Sequence, residues 1–100
     1  MSELRFKVIQ NPERKRFEVK VSNKLAVCEY IQLTGKIIFT HTAVPPGLEG
    51  MGIGSSLARK GLKYARENQL KVQPLCPYIA GYMKKHPEEQ DLLMEGFHLR

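Results

Sequence analysis

The sequence predicts an α+β domain of the broad α/β class: a mostly antiparallel sheet of about five strands with two main helices. Two observations carry this. Runs of β-forming residues separated by short turns occupy the first half of the chain. After a glycine-rich loop the apolar period becomes helical, and a further strand and helix follow before Pro87. At 100 residues the chain has the size of one domain, expected to cover 1–100 as a single unit, since neither a repeat nor a linker divides it. A domain this small buries about two-thirds of the surface its unfolded chain exposes, so a ligand is expected in a groove rather than a deep cavity.

The first strand is expected from Arg5 to Ile9 and the second from Arg16 to Ser22, with Asn11-Pro12 turning the chain between them. Leu25 to Leu33 continues in β-formers, Thr34-Gly35 makes a second turn, and Lys36 to Val44 completes four antiparallel strands. Ile53, Leu57, Ala58, Gly61, Leu62 and Ala65 then recur at helical spacing, predicting an amphipathic helix that ends near Asn68. Leu70 to Leu75 reads as a fifth strand, in which Pro74 cannot donate a ladder hydrogen bond and so marks an edge, bulge or splayed position. Pro77 suits the first turn of a second helix, Tyr78, Ile79, Tyr82 and Met83 supply its apolar face, and Pro87 stops it.

A formal charge of +6, from 16 Lys and Arg against 10 Asp and Glu, favours an anionic partner: nucleic acid, acidic protein or a phosphorylated cofactor. Aromatic residues do not interleave with the basic clusters Arg14-Lys15-Arg16 and Lys84-Lys85, which argues against a nucleic-acid surface. No run approaches the roughly 20 apolar residues of a membrane span, and Met1 to Gln10 lacks the apolar middle of a signal peptide, so a cytoplasmic protein is expected. Cys28 and Cys76 are far apart, without metal-ligand spacing, and are expected as reduced thiols with no metal.

The segment from Pro45 to Ser56 joins a strand to a helix through four glycines, Gly47, Gly50, Gly52 and Gly54. A helix start offers unpaired N–H groups and the positive end of the dipole, and glycine lets phosphate oxygens come close, so an anion site is expected. It is not a P-loop, because Ser55-Ser56 rather than Lys follows Gly54. Nor is it a dinucleotide fingerprint, which requires glycine at 55 and a parallel βαβ unit.

Glu49-Gly50-Met51-Gly52-Ile53-Gly54 resembles the Gln/Arg-x-x-Gly-x-Gly/Ala signature of GNAT acetyltransferases, with Gly52 and Gly54 on the signature glycines. His41 to Pro46, Glu29-Tyr30, Pro74 to Tyr78 and His86-Pro87-Glu88 resemble a branch of very short GNAT-like proteins, over about Ala26 to Leu93. Glu49 and Glu89 depart from the pattern, which has Gln or Arg and an aromatic there. The resemblance implies a mixed sheet splayed between its fourth and fifth strands, with an open acceptor site. It implies acetyl-CoA or coenzyme A as cofactor, its arm along Thr42, Ala43 and Val44 and its pyrophosphate on Gly50, Met51, Gly52, Ile53, Gly54 and Ser55. The expected reaction is acetyl transfer by direct attack of an amine, on a small molecule or a protein, in a monomer or weak dimer. A coenzyme-A-binding module without transferase activity is the alternative.

Transfer needs a neutral nucleophile, an N–H donor for the oxyanion, expected near Val44, and a proton source for the departing thiolate. Cys76 is the first candidate, at the start of the second helix where the dipole favours a thiolate and where it also lines the cofactor groove. His41 is a candidate base, and the hydroxyls of Tyr82 and Tyr78 are candidate acids, Tyr78 also touching the cofactor. Lys85, beside Lys84, is a candidate counter-charge for cofactor phosphate.

Overall fold

The computed structural model describes residues 6–99. Its strands are β1 (Ile9–Asn11), β2 (Arg16–Val21), β3 (Lys24–Leu33) and β4 (Lys36–Ala43); α1 (Ile53–Glu67), β5 (Lys71–Pro74) and α2 (Pro77–Lys85) follow, and a 3-10 turn covers Pro87–Leu92. The sheet order is β1-β2-β3-β4-β5. The first four strands pair antiparallel with their neighbours, and β5 pairs parallel to β4. Helix α1 is the crossover that a parallel pair requires. Among the described residues no helix is long and apolar enough to cross a membrane.

The first strand lies later than the sequence suggests. Residues Pro12 to Lys15 make the turn, closed by Lys15 N donating to Pro12 O at 3.2 Å and by Arg14 N donating to Asn11 Oδ1 at 3.2 Å. This puts Asn11 opposite Arg16 and keeps it in the strand. Phe6 and Val8 instead pack, partly buried, against the core; Arg5 lies outside the described residues.

Alternation along the strands builds one core. Phe17, Cys28 and Thr42 share a row across β2, β3 and β4, as do Tyr30 and Phe39, and four of these five are buried. The same face includes Ile37 and Val72, and it packs with Ile53, Leu57, Ala58, Leu62 and Ala65 of α1 and Ile79, Tyr82 and Met83 of α2. The opposite rows hold Ile9, Leu25, Ile31 and Leu33, all exposed. Both helices therefore stand on one side of the sheet, and among the described residues its other face is bare.

Two contacts hold the far end. Arg66, in the last turn of α1, donates to both carboxylate oxygens of Asp91 at 2.9 Å and to Glu89 Oε1 at 3.1 Å. Glu89, which departs from the aromatic pattern, is thus an ion-pair partner rather than a packing residue. Leu93 bridges Val72 in parallel, and Met94 N donates to Val72 O at 2.9 Å, covering the outer edge of β5.

Close approach of α1 to the sheet requires Gly61. A Cβ there would stand 2.9 Å from Cε1 and 3.0 Å from Cζ of Phe39, a ring fully buried and unable to step aside. Overpacking typically costs about 1–3 kcal/mol and outweighs the few tenths gained in helix propensity. Gly61→Val is expected to lower unfolding free energy by about 2 kcal/mol, read from the midpoint of urea denaturation.

Candidate active site

The site begins where the sheet stops pairing. The β4–β5 register runs from Lys36↔Lys71 to Phe39↔Pro74 and ends there. Pro74 has no N–H to give, Leu75 N turns back to Gln73 O at 3.1 Å, and Cys76 N makes a link from this stretch to β4, donating to Phe39 O at 2.9 Å. Beyond that point the chain enters α2 while β4 continues alongside β3 through Thr40, His41, Thr42 and Ala43. The β5-facing edge of β4 is consequently splayed over these residues, the geometry expected at Pro74.

A bulge tunes which side chains meet this gap. The β3–β4 register shifts between Glu29 and Tyr30, so Glu29 faces His41 while Tyr30 faces Phe39, and Thr40 is the extra residue. Thr40 Oγ1 donates to Glu29 O at 3.3 Å. Thr42 opposes buried Cys28 and lies on the core face. His41, one residue before it and exposed, lies on the bare face.

Across the gap stands Cys76, the residue before α2, 2% exposed. Its side chain does not cap the helix; Sγ–H donates to Thr42 Oγ1 at 3.2 Å. The splay is therefore spanned by a side-chain bond rather than a ladder bond. Cys76 stands at the start of the second helix, as expected, and is buried against β4.

The loop from Val44 to Gly52 brings the start of α1 to the same end of the sheet. Leu48 is buried and Leu48 N donates to Pro45 O at 3.1 Å, while Lys24 Nζ donates to Pro46 O at 2.9 Å. Gly52 is the residue before the helix, with φ +87°, and no side chain caps the first turn, which also carries no acid. The first intrahelical bond is Ser56 N to Gly52 O at 3.0 Å. Hence the N–H groups of Ile53, Gly54 and Ser55 have no acceptor within the helix, and a Cβ on Gly52 would point into open space. Such a turn has the geometry and polarity that suit an anion, with the dipole of a 15-residue helix behind it.

Gly54 differs from Gly52. A Cβ on Gly54 would fall about 2 Å from the Tyr78 ring and hydroxyl, so this glycine exists to let Tyr78 of α2 lie across the first turn of α1. Sequence reasoning placed both residues at the cofactor but missed the contact, which depends on how two helices meet. Tyr82 is buried and stacks on His86, with centroids 3.9 Å apart and planes at 14°. A carbonyl only accepts, so His86 Nδ1, 2.8 Å from Tyr82 O, is the donor in this contact. Lys84 and Lys85 occupy the last turn of α2, about 10 Å along the axis from Tyr78 at 1.5 Å per residue. Thr42, Cys76, Tyr78 and the glycine turn thus gather at one end of the sheet, whereas His41 is on the other face and Lys85 at the far end of α2.

A family model described as GCN5-related N-acetyl-transferase matches residues 16–92. Protein NATD1 of Mus musculus is 33% identical over 89 residues, covering 86% of this chain and 81% of that protein. NATD1 of Gallus gallus is 34% identical over 83 residues, covering 80% and 76%. The solution structure of a GCN5-like protein from Staphylococcus aureus superposes with a TM-score of 0.71 at 29% identity, covering 98% of this chain and 95% of that one.

Gly54→Ala tests the helix contact. The obstructing atoms are the far end of Tyr78, a half-exposed ring that can swing away, so stability is expected to fall by about 1 kcal/mol or less. The Tyr78 ring resonances should shift in NMR spectra while those of the Phe39 ring, deep in the core, stay in place.

Proposed function

The chain belongs to the GCN5-related N-acetyltransferase family, and from that premise we propose that it transfers acetyl from acetyl-CoA to a primary amine by direct attack. The observation that carries this reading is the uncapped first turn of α1 beside the unpaired edge of β4. The two features suit the two polar parts of coenzyme A. Backbone N–H groups of Ile53, Gly54 and Ser55 fit its pyrophosphate, and the edge at Thr42, Ala43 and Val44 fits the amides of its arm. Bound there, the cosubstrate supplies an activated acetyl thioester.

The residues of the chain then divide the work. An amide near Val44 donates to the developing oxyanion. Cys76, its Sγ–H already directed across the splay, provides the proton for the departing thiolate. Tyr78, half-exposed over the start of α1, closes the side of the groove. The acceptor approaches from the bare face of the sheet, which suits a lysine or N-terminus on a protein as well as a small amine. Two free, buried thiols fit action in a reducing compartment, the cytoplasm. One observation favours the alternative of a coenzyme-A-binding module without transfer. Tyr82 is buried against His86, and the exposed candidate His41, though on the face from which the acceptor comes, lies across β4 from Cys76, so no one side of the strand gathers both a base and an acid.

Acetyl-CoA at a hundred times its dissociation constant is expected to stabilise the fold by about 2.7 kcal/mol and raise the melting temperature by roughly 10 °C. Gly52→Asn, which tolerates positive φ yet adds a Cβ where phosphate would approach, should keep the fold and lose most of that shift. An unchanged shift in this variant sends the pyrophosphate elsewhere. Thiol release in the presence of a panel of amines and proteins separates transferase from binder: release dependent on acceptor supports transfer, and affinity without release supports the module.

A further inference from the structure

The basic cluster Arg14-Lys15-Arg16 has no part in the proposed chemistry, and the fold divides it. Arg16 is engaged in an ion pair, its Nε 2.6 Å from Glu18 Oε2. Arg14 and Lys15 stay in the exposed turn between β1 and β2, where Lys15 takes a left-handed backbone with φ +57°. Its carbonyl accepts from Tyr30 N at 3.0 Å, which ties the turn to β3. The turn thereby becomes one wall of a cavity of 300 Å³ lined by Gln10, Pro12, Lys15, Tyr30, Gln32 and Tyr64. This cavity lies toward the other end of α1 from the glycine turn: Tyr64 follows Gly54 by about 15 Å along the helix axis at 1.5 Å per residue.

Two hydrogen bonds decide which polar atoms the cavity offers. Gln10 Nε2 donates to the Tyr30 hydroxyl at 2.8 Å, and the Tyr64 hydroxyl donates to Gln32 Oε1 at 2.7 Å. Tyr30 is 5% exposed, its hydroxyl oxygen already accepts, and no group among the described residues takes its hydrogen. Gln32, with its oxygen engaged, offers the hydrogens of Nε2, and Lys15 Nζ adds donors and a positive charge. No carboxylate lines the cavity. The carbonyls at the end of α1 are directed elsewhere, since Asn68 N and Nδ2 donate to Tyr64 O and Leu70 N donates to Ala65 O. Between the donors the lining is flat and apolar, made by the Pro12 ring and by the Tyr30 and Tyr64 rings, whose centroids are 6.4 Å apart with planes at 31°.

We propose that this cavity is a second binding site, separate from the groove beside β4, for a small organic carboxylate with a flat apolar body. A carboxylate only accepts, and its two oxygens match a rim of donors. One oxygen takes the Tyr30 hydroxyl hydrogen and the other takes Gln32 Nε2–H, with Lys15 as counter-charge; the body lies on the Tyr64 and Pro12 rings. A neutral amide of the same shape brings N–H groups of its own to a rim that already donates, so it is discriminated against.

The test uses benzoate as probe and benzamide as its uncharged counterpart, each titrated into the whole 15N-labelled chain with no other ligand and followed by NMR. Benzoate is expected to shift the side-chain amide signals of Gln10 and Gln32 saturably, with a dissociation constant on the order of a few millimolar. Benzamide should bind about tenfold more weakly. Tyr30→Phe keeps the ring, removes the hydroxyl, and should weaken benzoate about tenfold. Lys15→Asn, a residue that accepts the left-handed backbone, should bring benzoate down to the affinity of benzamide and leave benzamide unchanged. Because Lys15 lies in an exposed turn, this variant keeps the fold even where a change at Tyr30 disturbs the core. Arg14→Gln removes a neighbouring charge outside the lining and should change neither probe. Absence of saturable shifts, equal affinity of the two probes for the wild type, undiminished benzoate binding in Lys15→Asn or in folded Tyr30→Phe, or an equal loss in Arg14→Gln would each overturn the proposal. Acetyl-CoA plays no part in these titrations, so the outcome is independent of the cofactor reading.

Discussion

Everything at the candidate site depends on the place where two parallel strands stop exchanging hydrogen bonds. A backbone N–H missing at Pro74 ends the ladder with β4 after Phe39. Were β5 to continue, the edge of β4 from Thr40 to Ala43 would be filled by protein. Because it stops, the chain must find another way to hold the two walls together. It does so with one backbone bond, Cys76 N to Phe39 O, and one side-chain bond, Cys76 Sγ to Thr42 Oγ1. The edge of β4 from Thr40 to Ala43 is left without a strand partner on that side, exposed at Thr40 and His41 and half-buried at Thr42 and Ala43.

The glycine loop complements that gap by two different physical means. Gly52 takes a left-handed backbone, and open space lies where its side chain would be. Gly54 has ordinary helical geometry, and its missing side chain is replaced by Tyr78. One glycine faces open space and the other leaves room for the protein's own ring. In the sequence they look alike, two letters apart. Their separation required the relative placement of α1 and α2, which is a tertiary property.

Legibility in the sequence followed the range of the interactions. The helical period from Ile53 to Ala65 and the alternation in β2 and β3 are local, and both appear as read. Pro74 was legible as a break because the missing donor belongs to the residue itself. The first strand was misplaced because Asn11 is held by a four-residue turn and by pairing with Arg16, and neither is visible as an apolar pattern. The side of β4 on which His41 emerges was also hidden. A one-residue bulge at Thr40 sets it, and nothing in the letters 39–42 announces the bulge. That Cys28 lies opposite Thr42 was hidden in the same way, because the pairing comes from register rather than from spacing.

The parallel pairing of β4 with β5 also orders the assembly of the molecule. Strands β1 to β4 are joined by tight turns and can zip together from contacts close in sequence, whereas β4 and β5 meet only after residues 44–70 have been threaded between them. Contacts that close long loops form late, because the chain must give up its freedom before any bond rewards it. The groove is bounded by the last of these contacts. Its two walls therefore come together late in folding, after the strands that precede them.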